Sequence, residues 1–139
     1  MELDDTEFVL QFENGSLPPA LFDHLGHLRM AWIYLQRYGE DRAIEKACGG
    51  IRAFARHHGD ADKFHKTLTV ASIKIVNHFV QGSSADHFSN FIRENPGLGH
   101  SFKELVERHY SRGLLGSKKA RGEYLPPDLL PFDPPRSMP

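Results

Sequence analysis

The stretch Asp23-His24-Leu25-Gly26-His27-Leu28-Arg29-Met30-Ala31-Trp32-Ile33-Tyr34-Leu35-Gln36-Arg37-Tyr38-Gly39 decides the fold. Leu28, Ala31, Trp32 and Leu35 recur at the spacing of one helical face, and Arg29, Gln36 and Arg37 fall on the other side. Asp23 has the side chain of an N-cap, Phe22 stands where a staple residue packs, and Gly39 supplies a stop. The spacing predicts a helix over 24–38.

The same reasoning extends in both directions. A second helix is expected over 42–58, with Ile44, Ala47, Cys48, Ile51, Phe54 and Ala55 on its buried face. Gly49-Gly50 in its interior costs about 1 kcal/mol per glycine relative to alanine, which points to a close helix neighbour or a kink. A third helix is expected over 61–80, capped by Asp60 or Asp62, with Phe64, Leu68, Ala71, Ile75 and Phe79 as its stripe. A shorter one follows over 85–94, and Ser101-Phe102-Lys103-Glu104 has capping-box spacing for a fifth that ends near Ser111. Residues 1–17 read as a lead-in, with Phe8, Leu10 and Phe12 on one face of a short extended segment. Six of the nine prolines crowd the last fourteen residues, so 123–139 is expected as an extended tail whose Leu125, Leu129, Leu130 and Phe132 lie against the bundle. Links as short as 39–41 and 59–60 make the first three helices antiparallel neighbours. The reading is a single all-α domain: an antiparallel bundle of five helices with its core over 24–110 and an extended Pro-rich C-terminal tail.

With 139 residues the chain can bury one core without cross-links. Lys and Arg total 17 against 18 Asp and Glu, a balance that argues against a nucleic-acid surface. No apolar run approaches the roughly 20 residues of a membrane span. The acidic start Met1-Glu2-Leu3-Asp4-Asp5 has the wrong sign for a signal peptide. The lone Cys48 fits a reducing cytoplasm and a structural, buried role. A homo-oligomer is compatible with the sequence.

Histidine is the unusual count, nine in all. Stepping about 100° per residue, His24 and His27 fall inside the apolar arc of the first helix, His58 continues the line of Ile44, Ile51 and Ala55, and His65 falls with Leu68, Ser72 and Phe79. The topology brings these four to one end of the bundle, all facing inward. Neutral imidazole binds divalent transition metals, and two of these rings lie three residues apart on one helical face. The expectation is therefore a metal centre with His24, His27 and His65 as ligands and His58 as a fourth ligand or proton-transfer group. Iron, zinc and copper all suit imidazole. Asp23, Asp60 and Asp62 sit at the same end, Asp62 with His58 as catalytic candidates for a metal-dependent oxidoreductase or hydrolase acting on a small organic substrate. Two other readings stand beside it. One is a metal-free helical module that binds a ligand or partner through a buried histidine layer. The other is a metal-free enzyme with one histidine as general base. No nucleophile elbow, phosphate loop or dinucleotide fingerprint is present.

Phe22-Asp23-His24-Leu25-Gly26-His27-Leu28 with Ala31-Trp32 resembles the F-x-H-x-x-H-L-x-x-A-W pattern of a group of small uncharacterised bacterial helical proteins. Lys63-Phe64-His65-Lys66-Thr67-Leu68-Thr69 is similar to that group's K-[FY]-H-E-T-x-T pattern, with Lys66 in place of the acidic residue. Tyr110-Ser111 and Pro127-Asp128-Leu129 also look like the group, so the resemblance covers 22–131. It implies a bacterial cytoplasmic protein and brings no established activity.

Overall fold

Asp4 opens the first helix by accepting the Glu7 N–H, and Gly15 closes it in the left-handed conformation that glycine adopts without strain. The computed structural model describes residues 3–132. Helix α1 (Asp5–Asn14) replaces the extended lead-in expected there. Phe8, Val9 and Phe12 are buried at helical spacing and Leu10 is 53% exposed, so the alternating face does not exist. Arg29 clamps this helix to the next, donating to Asp5 at 2.9 Å and to the Leu3 carbonyl at 2.6 Å.

Helix α2 (His24–Tyr38) begins and ends where the sequence places it, with the Asp23 carboxylate accepting the Gly26 N–H. All six residues 30–35 are buried, so α2 is the central rod and not a one-sided helix. It packs on α3 (Glu40–His57), α4 (Lys66–Gln81), α5 (Phe88–Glu94) and α6 (Pro96–His100). Each large apolar side chain sealed here contributes about 1.5–3 kcal/mol. Helices α2, α3 and α4 run up, down and up, since Phe22 meets Phe54 and Glu40 meets Lys74 and Asn77. A single residue links α2 to α3, but the link from α3 to α4 is longer than expected, 58–65. The Trp32 Nε1 is the one buried side-chain polar atom without a partner among the described residues.

The third helix starts later than expected. Ala61–Lys63 forms a single 3-10 turn, Phe64 is extended, and α4 starts at Lys66 with His65 as its N-cap. Neither Asp60 nor Asp62 caps that helix. Its buried face is Thr67, Val70, Ala71, Ile73, Ile75 and Val76, which leaves Leu68 39% exposed. After α5 the chain makes α6, then α7 (Phe102–Glu107), where Ser101 gives no side-chain cap, then two short turns of helix, α8 (Arg112–Leu115) and α9 (Lys118–Gly122).

The tail runs along the bundle through residue 132, with Phe132 packed on the core and Leu125 half-buried. Leu129 and Leu130, expected against the bundle too, are 57% and 52% exposed. They are held by their backbone, the Leu129 N–H donating to the His109 carbonyl and the Leu130 carbonyl accepting from the His109 ring. The buried Thr67 hydroxyl donates to the Glu123 carbonyl at 2.8 Å and accepts the Leu125 N–H at 3.0 Å. Tyr110 donates to the Leu125 carbonyl. Asp128 takes both the N–H and the hydroxyl of Ser111, which hold its carboxyl below the usual carboxylate range. Phe132 stacks on His109. The rest of the proposed tail, 133–139, lies outside the described residues. Among the described residues there is no strand, and no helix is long and apolar enough to cross a membrane.

Candidate functional site

A cavity of about 440 Å³ opens between the start of α2, the start of α4 and Phe102 of α7. This volume suits a small organic molecule. Its floor is apolar, built from Leu28, Ala31, Ile73 and Val76. Its polar wall contains His24, His27, His65, Thr69 and Ser72, with Asp23 and Lys63 exposed at the rim.

Three of the four converging histidines therefore do meet, but not around an ion. Among the described residues no group of three or more His, Cys, Asp or Glu side chains could hold a metal. The expected iron, zinc or copper centre of His24, His27, His65 and His58 is not formed, and the metal-dependent activity built on it falls with it. The backbone is the reason. His24 Nε2–H donates to the Leu98 carbonyl at 2.9 Å. His27 Nδ1–H donates to the Asp23 carbonyl at 2.8 Å. His65 Nδ1 accepts the Leu68 N–H while its Nε2–H donates to the Leu115 carbonyl at 2.8 Å, so both of its nitrogens are occupied. A carbonyl oxygen can only accept, and this fixes which ring nitrogen carries the proton in each case.

His58 and Asp62 do not line the cavity. His58 caps the end of α3 and turns its Nε2 to the Gly15 carbonyl at 3.2 Å. The rings His27, Phe22, Phe54 and His58 form one aromatic chain with centroid separations of 3.8, 4.9 and 4.4 Å, and this chain keeps the two imidazoles apart. The Asp62 side chain is exposed, and its backbone carbonyl accepts from Arg121 at 2.8 Å. Cys48 is buried, and burial pushes its thiol pKa up.

The side chain best placed for chemistry is His27. Burial is the largest influence on it and lowers its pKa, aided by His24; the Asp23 carbonyl bond and the Asp23 charge oppose this. At neutral pH the ring is thus uncharged. Its Nε2 has no hydrogen-bond partner among the described residues, yet it is not sealed, since the Trp32 Nε1 is the single buried unpaired atom. The ring lies flat on Phe22, which fixes its plane. Gly26 makes this possible: any Cβ at that position would run into the Leu21 carbonyl, so α2 could not start so close to the preceding turn.

Sequence reasoning placed Ser72 on one arc with His65 but did not name Thr69, nor either hydroxyl as part of a polar wall. The signal was present: His65, Thr69, Ser72 and Val76 are spaced by four, three and four residues, one helical face that grades from polar to apolar. A second cavity of about 470 Å³ lies beside α1, but its cation Arg29 is already held by Asp5 and by the Phe8 ring at 4.6 Å. It therefore offers a ligand less than the histidine cavity does. No protein-family model, no curated protein and no solved structure matches the chain, so its function rests on this geometry.

Proposed function

We propose that the protein is a helical binding module for a small, largely apolar organic molecule, held in the cavity between α2, α4 and α7. The observation that carries this reading is the pairing of an apolar floor with a polar wall whose imidazoles are locked in place by backbone carbonyls. Such pre-set polar groups over an apolar floor fix a ligand's orientation at little ordering cost. The resemblance to the small bacterial helical proteins fits this reading, since its two histidine motifs are the segments that build the wall.

The test uses p-cresol as probe and methyl-labelled full-length protein. Titration should shift the methyl resonances of Leu28, Ala31, Ile73 and Val76 saturably. Ser72→Phe, which projects a ring from the cavity wall without touching the deep core, should abolish the shifts and leave the thermal transition in place. If p-cresol leaves those methyls unmoved, or moves them equally in Ser72→Phe, the reading is wrong.

A further inference from the structure

The polar wall has an unusual hydrogen-bond balance. It carries three imidazoles and two hydroxyls, and each of these five side chains donates a hydrogen to a backbone carbonyl. His24, His27 and His65 give theirs to Leu98, Asp23 and Leu115. Thr69 gives its hydroxyl hydrogen to the His65 carbonyl at 2.8 Å, and Ser72 gives its own to the Leu68 carbonyl at 2.7 Å. With both His65 nitrogens occupied, the lone pairs left for an occupant include the hydroxyl oxygens of Thr69 and Ser72 and the His27 Nε2.

We infer that the cavity selects its ligand by the hydrogen-bond donors the ligand carries, and that it takes neutral hydroxylated apolar molecules, phenols among them, in preference to carboxylates of the same frame. The inference rests on the binding reading above and deepens it. A phenolic O–H meets a free acceptor at Thr69, Ser72 or His27. A carboxylate brings only lone pairs, so it would leave acceptors facing acceptors in a half-buried site, an arrangement that costs binding energy. Charge at the rim does not reverse this. Lys63, the one Lys or Arg among the described lining residues, lies 3.6 Å from Asp60, and Asp23 adds an anion at the same rim. The neutral state of His27, due to burial, keeps its Nε2 an acceptor at pH 7.

Three probes of one frame test this on the full chain at pH 7.5: p-cresol, 4-methylanisole and 4-methylbenzoate. The methyl ether keeps the oxygen and removes its hydrogen; the benzoate replaces a donor by an anionic acceptor. p-Cresol should bind about 3- to 10-fold more tightly than the ether, the yield of one neutral hydrogen bond, and the benzoate should bind more weakly than p-cresol. Thr69→Val, which keeps the shape and removes an acceptor, and His27→Phe, which keeps the stack on Phe22, should each narrow the gap between p-cresol and ether; thermal melts verify that both variants fold. If the ether or the benzoate binds as tightly as p-cresol at the same methyls, donor selection is overturned and the cavity remains a binding site. If none of the three perturbs the cavity methyls, donor selection and the binding reading both fall.

Discussion

Replacing Thr67 by valine removes one hydroxyl and changes almost nothing in shape. That hydroxyl sits on a fully buried residue and makes two bonds, to the Glu123 carbonyl at 2.8 Å and from the Leu125 N–H at 3.0 Å. In the valine variant both backbone groups lose their partner. An unsatisfied buried group costs about 1–3 kcal/mol. Glu123 is exposed, so its carbonyl can turn to water and pays the low end; Leu125 is half-buried, so its N–H pays more. The sum is about 2–3 kcal/mol. For 139 residues a loss of 1 kcal/mol lowers Tm by about 3–4 °C, so Thr67→Val should melt about 7–10 °C below the parent. Thr67→Ser keeps both bonds and loses one methyl, about 1 kcal/mol, or about 3–4 °C. Calorimetry or circular dichroism melts on the three proteins read the difference. A valine variant within about 0.5 kcal/mol of the parent, well below the cost of one unsatisfied group, would show that the tail is not held by this hydroxyl. A serine variant as unstable as the valine one would assign the loss to packing instead.

The adjacent glycines of α3 should respond in opposite directions. A Cβ at Gly49 meets nothing within 4 Å, so Gly49→Ala should stabilise by about 0.5–1 kcal/mol in urea unfolding. A Cβ at Gly50 would stand 2.6 Å from the Phe12 ring, itself 1% exposed and fixed by Phe22 and Phe54, so Gly50→Ala should destabilise by about 1–3 kcal/mol. Acid should weaken the fold through His27. Its folded-state pKa lies below 6.5, so its contribution is present in full above the unfolded value and is lost as pH falls through the folded one. The groups that face it are Asp23 and His24, with His65 and Lys63 on the same cavity. In melts from pH 7.5 to 5, His27→Phe should therefore lose less Tm than the parent, and an NMR titration of the His27 ring should give a midpoint below 6.5; parallel curves for parent and variant would contradict the assignment.

The sequence carried the parts of this fold that depend on side-chain pattern. The bounds of α2 were legible because Asp23 and Gly39 act locally. The run Met30 to Leu35 already contained the reason why that helix is central, six apolar residues without a polar break. Two segments were less legible. Phe8, Val9, Leu10 and Phe12 satisfy both a period of two and a helical period, and the capping by Asp4 and Gly15 decides between them. At the start of α4 two aspartates looked like caps, whereas an imidazole nitrogen performs that role, which no pattern of apolar spacing announces. Of the four histidines expected to converge, His24, His27 and His65 line one cavity and His58 turns to the Gly15 carbonyl. His65 arrives as an extended cap ahead of α4 and not through the period of the helix. The commitment of His24 and His65 to carbonyls was not legible, because Leu98 and Leu115 contribute backbone oxygens that any residue would supply. A metal looked attractive because these competitors for the imidazole hydrogens leave no trace in the sequence.

The order of synthesis gives those long-range bonds a further meaning. His24 is closed by a carbonyl 74 positions later, His65 by one 50 positions later, and Thr67 by one 56 positions later. A nascent chain that has reached only Gln81 holds every imidazole of the wall and none of the oxygens that orient His24 and His65. Domains form as units while they emerge from the ribosome. The bonds that orient the wall are all available only once Leu115 has been added, and the Thr67 bonds that fix the tail only once Leu125 has.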